Sequence, residues 1–131
     1  MRREAPCMQQ KSRYAYRETI DRLTSTITGG GNTIFVTIDQ AAAAQSVGLT
    51  MRPTTLIVFG NPKGGTPLME AYPLMALHLP IKLLVWEQNG AVQVAAADMA
   101  ALAAGVGVPA GEPHVAALDK ALATLIGSVA G

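Results

Sequence analysis

The spacing of apolar residues predicts a helix close to the N-terminus. Apolar side chains recur at steps of four, three and four residues, which places them on one helical face: Tyr16, Ile20, Leu23 and Ile27. The Gly-Gly-Gly-Asn run at 29–32 ends this helix. Upstream of it, residues 7–13 alternate poorly and predict no more than a short edge strand.

Two segments downstream of that helix have the patterns of β-strands. Residues 33–38 are β-branched and aromatic, and their alternation places three side chains on one side: Ile34, Val36 and Ile38. Residues 54–59, with the sequence TTLIVF, form a continuous apolar run between a proline and a glycine. Such a run is typical of an inner strand that is covered on both faces.

The pattern over residues 81–96 predicts a β-hairpin. Alternate residues of its first strand, 81–87, share one face: Ile81, Leu83 and Val85. The opposite face of that strand carries Lys82, Leu84 and Trp86. Asn89-Gly90 then leads into a second strand at 92–96, and this dipeptide tolerates the positive φ angles of a two-residue type I′ turn.

Capping residues and one further apolar stripe predict the remaining helices. Asp39 and Asp98 are placed to cap short helices that follow two of the strands. Thr66-Pro67 is a natural N-cap and first-turn pair for a helix that Tyr72-Pro73 interrupts. A terminal helix over about 113–129 is indicated by six apolar positions at helical spacing: Val115, Leu118, Leu122, Leu125, Ile126 and Val129.

Length and composition favour a single domain that associates with itself, and the order of predicted strands and helices makes it an α+β domain. A chain of 131 residues can bury one core, and we expect one domain over 1–131 with its central part at about 33–105. Half of the residues are hydrophobic and the mean hydropathy is +0.28, which excludes general disorder. Only 15% of the residues are charged, against roughly 25% in ordinary soluble domains. This shortage of polar surface predicts self-association.

Charge and cysteine content exclude several classes of partner and compartment. A net charge of +1 argues against a nucleic-acid binder or a protein of charged membrane surfaces. No apolar run approaches the length that spans a bilayer, and no signal peptide is evident. Cys7 is the single cysteine, so no intrachain disulfide can form. We therefore expect a cytoplasmic protein without a membrane partner.

The segment that follows the TTLIVF strand carries the most suggestive chemistry. Its glycines, Lys63 and the expected helix start could together hold an anion. It is not a Walker A loop, because Lys63 precedes both glycines and Thr66 follows them. The plainer alternative is that Asn61-Pro62 turns the chain and Thr66-Pro67 caps a helix.

Other candidate chemistry is sparse. The serines lack a nucleophile-elbow context, and His78 and His114 belong to no recognisable pair. No metal-ligand spacing is present, so we predict neither a metal nor a cofactor. Asp39 and Glu87 end two predicted strands and could form a pair of carboxylates, although capping and solvation explain them as well.

Residues 38–87 resemble the domain of unknown function 302 family. The similarity rests on a series of motifs in order: Ile-Asp-x-Ala-Ala-Ala, Met-Arg-Pro-Thr-x-Leu, Phe-Gly-Asn-Pro-Lys-x-Gly-Thr-Pro-Leu-Met, Leu-Pro-x-Lys and Val-Trp-Glu. The resemblance implies a β-α-β(4)-α arrangement like that of the TATA-binding protein, with extra short helices and commonly a dimer. It implies no established activity.

The chain departs from the family pattern at positions that bear on chemistry. Gln40 stands where the family usually has histidine, Gln88 where it often has an acid, and residues 95–97 are alanines in place of a polar stretch. These changes weaken any metal or acid-base role. The match is kept at six other polar positions: Arg52, Thr54, Asn61, Lys63, Thr66 and Glu87.

Two hypotheses of function follow. The first is a non-enzymatic homodimer that binds a small molecule or a protein, with candidate ligand contacts at the polar end of the sheet: Arg52, Thr54, Asn61, Lys63 and Thr66. The second is a small enzyme or anion-binding protein that uses the 61–66 segment. In this hypothesis Lys63 and Arg52 hold an anionic metabolite, and Asp39 or Glu87 moves a proton. Asp39, Gln40 and Glu87 form a possible polar cluster.

Overall fold

The chain folds as five strands and five α-helices within residues 7–131, the part that the computed structural model describes. The strands are β1 (Cys7–Lys11), β2 (Thr33–Asp39), β3 (Thr54–Gly60), β4 (Ile81–Gln88) and β5 (Ala91–Ala97). The helices are α1 (Tyr16–Gly29), α2 (Gln40–Gln45), α3 (Pro62–Ala71), α4 (Met99–Gly105) and α5 (Pro113–Gly127), and a 3-10 helix lies at Pro73–Leu77. This order confirms the predicted α+β fold.

All five strands form one antiparallel sheet in the order β1-β5-β4-β3-β2. The N-terminal strand lies at an edge of the sheet, as predicted. The β4–β5 hairpin is also confirmed, since Asn89 has φ of 53° and Gly90 has φ of 78°. β4 is the middle strand and joins the hairpin to the β2–β3 pair.

One face of the sheet, here called the covered face, carries the hydrophobic core. Strand side chains on this face are buried: Thr55, Ile57, Phe59, Ile81, Leu83, Val85, Val92, Val94 and Ala96. Apolar residues of α1 and α5 pack against them in one continuous cluster. Tyr16 of α1 also forms a hydroxyl-to-hydroxyl hydrogen bond with Thr55. The apolar stripes predicted for these two helices therefore face the sheet.

The opposite side, here called the open face, lies outside this core. Seven apolar side chains of four strands point to it: Val36, Ile38, Leu56, Val58, Leu84, Trp86 and Ala95. None of them belongs to the core cluster; Val58 and Ala95 are buried, whereas Leu56, Leu84 and Trp86 are only partly buried. Within the described residues, the expectation that β3 is covered on both faces is therefore met on the covered face and only in part on the open face.

A β-bulge in β2 changes which side chains face the core. Ile34 pairs with Phe59 and Val36 with Val58, so two steps on β2 match one step on β3. Ile34 therefore lies on the covered face, whereas Val36 and Ile38 lie on the open face. The prediction that these three side chains share one side is wrong, because the extra residue, Phe35, inverts the alternation.

Helix α3 begins five residues earlier than the Thr66-Pro67 pair predicts. Asn61 is the N-cap, and its side-chain oxygen accepts a hydrogen bond from the Lys63 N–H at 3.0 Å. Pro62 occupies the first turn, where its missing N–H costs nothing. Asn61-Pro62 is thus the cap-and-proline pair that starts the helix, and Pro67 lies inside it. The helix ends at Ala71, where the interruption was expected.

The carboxylate of Asp119 fixes the position of α5 against α4. It accepts hydrogen bonds from the Met99 and Ala100 N–H groups at 2.7 and 3.0 Å. Asp98 caps the same helix end, as predicted. Burial, together with the nearby Asp98 carboxyl, raises the pKa of Asp119 above its ordinary value, although the two N–H bonds act in the other direction. Anchored in this way, α5 forms one wall of the cavity described next.

Candidate functional site

A cavity of about 700 Å³ opens beside the segment that follows β3. It lies between the C-terminal end of α1, the start of α3, the middle of α5 and the covered face at Phe59 and Ile81. Cavities that hold small molecules in proteins have volumes of roughly 300–1,000 Å³. The cavity is therefore large enough for a small organic ligand.

The lining is predominantly apolar. Its aliphatic, aromatic and thioether side chains come from every wall: Ile27, Phe35, Phe59, Met69, Leu79, Pro80, Ile81, Leu118, Leu122 and Leu125. Phe59, Ile81 and Leu122 are buried core residues at its inner end, whereas Phe35 is 53% exposed. The cavity thus runs from the core to the surface.

Small residues keep the cavity open on two walls. Ala117 and Ala121 lie one turn apart on α5 beside the core stripe of that helix. On α3, a Cβ atom built at Gly64 would have no atom within 4 Å. A Cβ atom at Gly65 would lie 3.7 Å from Leu79 Cδ1 and 3.8 Å from Met69 Cε. Larger side chains at these positions would therefore occupy the cavity or its mouth.

Six polar side chains also line the cavity, and half of them bond to the backbone of their own segment. The Thr26 and Thr124 hydroxyls donate to carbonyls one helical turn earlier, at 2.9 and 3.0 Å. The Asn32 amide donates to the Ile27 carbonyl at 3.4 Å. The other three bring donors with no partner among residues 7–131: the Asn61 NH₂ group, the Thr66 hydroxyl and the Lys120 ammonium.

The structure brings two of the predicted site residues to this cavity and leaves Lys63 outside its lining. Asn61 and Thr66 line it, whereas Lys63 is exposed nearby. The backbone donors of the first turn of α3 are already used. The N–H groups of Gly64 and Gly65 donate to the Asn61 carbonyl at 3.0 and 2.9 Å, and the Lys63 N–H bonds to the Asn61 side chain. The segment therefore forms a capped helix start and not a cradle of free N–H groups.

The other predicted residues gather at the opposite end of β3. Arg52 lies before the strand and Thr54 is its first residue, about 20 Å from the far end of β3 at roughly 3.3 Å a residue. Asp39 pairs in register with Thr55, and the Glu87 N–H donates to the Pro53 carbonyl at 3.0 Å.

Side chains at this end are occupied locally. The Thr54 hydroxyl donates to the Arg52 carbonyl at 2.9 Å, and the Asp39 carboxylate caps α2, which begins at Gln40, by accepting from the Ala42 N–H at 2.9 Å. Within residues 7–131, neither Asp39 nor Glu87 forms an ion pair with Arg52. The candidate residues thus form two groups at opposite ends of the sheet, and only one group adjoins the cavity.

Most of the cavity lining was not singled out from the sequence. Phe35, Lys120 and Ala121 come from segments far from residue 61, and Leu118 was assigned to the core stripe of α5. The sequence of α5 does contain a signal for the cavity. Alanines lie beside the leucine stripe, and their side chains are too small to fill the space next to the helix. The bulge that exposes Phe35 depends on strand register and leaves no comparable signal.

The described residues include neither a metal-binding cluster nor a membrane-spanning helix. Within 7–131, no group of three or more histidine, cysteine or acidic side chains is placed to hold a metal ion. No described helix is both long enough and apolar enough to cross a bilayer.

Comparison with curated proteins finds relatives among fluoride channels of Brucella. The chain is 40% identical over 94 residues to the fluoride-specific ion channel FluC 1 of Brucella suis biovar 1 and to FluC 2 of Brucella melitensis biotype 1. The matched stretch is 71% of this chain but only 37% and 35% of those proteins. The chain therefore spans little more than a third of the curated relatives it matches.

A solved structure and a family model both match nearly the whole chain. The crystal structure of an uncharacterized conserved DUF302 protein from Bacillus stearothermophilus superposes with a TM-score of 0.87 at 22% identity. That match covers 94% of this chain and 97% of the other, and it shows the same fold. The model of the domain of unknown function DUF302 matches residues 8–129. The chain belongs to the DUF302 family, as the motifs of residues 38–87 indicated.

Proposed function

We propose that this protein is a small-molecule-binding module whose ligand occupies the cavity between α1, α3 and α5. The observation that carries the proposal is a cavity of about 700 Å³ with a mostly apolar lining and a few unpartnered donors. Protein sites for small molecules combine these same features, an apolar concave surface and a small number of polar groups that orient the ligand.

The energetics of the lining support an apolar ligand. Apolar surface gains about 25 cal/mol for each Å² that is removed from water, so a ligand that covers this lining binds by the same effect that forms the core. No carboxylate, imidazole or thiol lines the cavity within the described residues. The amide, hydroxyl and ammonium groups present are suited to holding a ligand by hydrogen bonds.

We favour the cavity over an anion site at the 61–66 segment. Lys63 lies outside the cavity lining, and the N–H groups of residues 63, 64 and 65 already bond to Asn61. An anion at this helix start would compete with those bonds, whereas a ligand in the cavity leaves them intact.

We also propose that the module is a homodimer joined through the open face. Seven apolar side chains on four strands point to this face, and Val36 is exposed there while Ile38, Leu56, Leu84 and Trp86 keep part of their surface in contact with water. Lys82, Gln88 and Gln93 lie on the same face. Large contiguous apolar patches on soluble proteins commonly mark interaction surfaces. A second copy presents the same patch, so a two-fold axis would bury both together. The low charged fraction of the chain, 15%, is consistent with such burial.

The binding proposal predicts that a bulky side chain at the cavity mouth blocks a neutral apolar dye. Ala121 is exposed on α5 and lines the cavity, so Ala121→Trp fills the mouth with little cost in stability. We expect the affinity for phenylnaphthylamine, measured by fluorescence titration, to fall at least about tenfold, which corresponds to about 1.4 kcal/mol. Ala123→Trp is the matched control, because Ala123 is exposed on the same helix and does not line the cavity.

A second variant places a larger side chain on the α3 wall of the cavity. Gly64→Leu introduces a side chain where a Cβ atom meets nothing within 4 Å, and it should also weaken dye binding. The binding proposal is contradicted if the wild-type protein binds no dye, or if both cavity variants bind it as tightly as Ala123→Trp does.

A further inference from the structure

We propose that the natural ligand is an amphipathic carboxylate, with its apolar part inside the cavity and its carboxylate on Lys120. This inference rests on the proposed function, since it names the class of molecule that the cavity takes. Three features of the lining carry it: the sign of its charge, the kind of polar groups left without a partner, and the position of Lys120 at the surface.

The charge of the lining favours an anion. Lys120 is the one charged residue among the described residues that line the cavity, and no acidic side chain accompanies it. Asp119, its neighbour in sequence, does not neutralise it, because the Asp119 carboxylate bonds to the Met99 and Ala100 N–H groups of α4. Within residues 7–131, Lys120 forms no ion pair of its own.

The unpartnered polar groups are donors. Lys120 offers three N–H bonds, the Asn61 amide offers its NH₂ group, and the Thr66 hydroxyl donates or accepts. They lie on two walls, α5 and the start of α3. A group that only accepts hydrogen bonds, such as a carboxylate, satisfies donors from both walls. A neutral alcohol can accept from the ammonium but brings no opposite charge, and a protonated amine would be repelled by it.

The exposure of these residues sets the orientation of the ligand. Lys120, Asn61 and Thr66 are exposed, whereas Phe59 and Ile81 at the inner end are buried. A carboxylate at the mouth keeps part of its hydration and avoids the desolvation cost of a buried ion pair. The apolar part then lies against the inner residues, where burial contributes most of the binding energy.

The test compares decanoate with decanol, which has the same chain length and no charge, by isothermal titration calorimetry at neutral pH. Wild-type protein should bind decanoate more tightly. Lys120→Met keeps the length of the stem but removes the charge, and it should weaken decanoate binding about tenfold while decanol binding changes less than about twofold. Lys63→Met removes an exposed lysine outside the cavity lining and should leave both affinities unchanged.

The outcomes separate this inference from the proposed function. If wild-type protein binds both compounds equally, or if Lys120→Met loses no affinity for decanoate, the inference about the carboxylate is wrong while the cavity remains a binding site. If neither compound binds and phenylnaphthylamine also fails to bind, both the inference and the proposed function are wrong.

Discussion

Leu84→Lys should convert the proposed homodimer to a folded monomer. Leu84 lies on β4, the middle strand, and its side chain is partly buried on the open face between Leu56 and Ala95. In a separate subunit, a lysine there can extend its ammonium into water. In a dimer that buries the open face, each subunit would contribute an unpaired buried charge, which costs about 3–5 kcal/mol. Dimerisation should weaken by more than about a hundredfold.

Sedimentation velocity at micromolar concentration measures this change directly. Gln9→Lys is the matched control, since Gln9 pairs with Ala95 in the same row of the sheet but lies exposed on the edge strand β1. It should remain dimeric. Trp86, the single tryptophan, lies on the open face, so its fluorescence should shift to longer wavelength when the dimer dissociates. If the wild-type protein sediments as a monomer, the proposal of a homodimer is wrong.

Leu23→Ala should lower the free energy of unfolding by about 2–5 kcal/mol. Leu23 is 0% exposed and belongs to the core between α1 and the sheet. Truncating a fully packed leucine loses its transfer free energy and leaves a void that the surrounding helices and strands fill only partly. Urea unfolding at one fixed protein concentration measures the loss and avoids changes due to dimerisation.

Leu118→Ala is the comparison that relates the loss of stability to the cavity. Leu118 is also a leucine on a core-facing helix stripe, but it is partly exposed and lines the cavity. Because part of its surface already borders open space, its removal loses fewer contacts and should cost less than half as much. Equal losses at Leu23 and Leu118 would mean that the cavity is closed in solution.

The elements that could be predicted from the sequence are those decided by local rules. The β4–β5 hairpin follows from Asn89-Gly90, whose positive φ angles few other residue pairs adopt as readily. Helix α1 follows from the spacing of Ile20, Leu23 and Ile27, and the glycine run that ends it. In both segments, the conformation is decided by residues close together in the chain, and contacts with distant residues do not change it.

The features that were mispredicted depend on partners far away in sequence or on two competing local signals. The bulge at Phe35 arises from the register between β2 and β3, and alternation within β2 alone could not show it. The start of α3 offered two cap-and-proline pairs five residues apart, Asn61-Pro62 and Thr66-Pro67, and the first one begins the helix. Burial of β3 was overstated because an apolar run does not show whether its second face is covered within the same chain.

For the same reason, only part of the candidate site could be predicted from the sequence. The segment after β3 was singled out because it follows a buried strand and carries Asn61 and Thr66, and both line the cavity. Lys120 was not predicted as a site residue, since its place in the cavity lining depends on the position of α5. The contact of Asp119 with α4 fixes that position. Arg52 attracted attention by its family motif, yet the length of β3 separates it from the cavity.

A titration with decanoate, followed in backbone amide NMR spectra of the labelled protein, tests directly whether the ligand occupies the cavity. We expect the largest chemical-shift changes at Gly65, Phe35 and Ala121, which line three parts of the cavity, and little change at the amides of Leu84 and Trp86 on the open face. Saturating changes confined to the open face, or no changes at the cavity residues at millimolar decanoate, would contradict binding in the cavity.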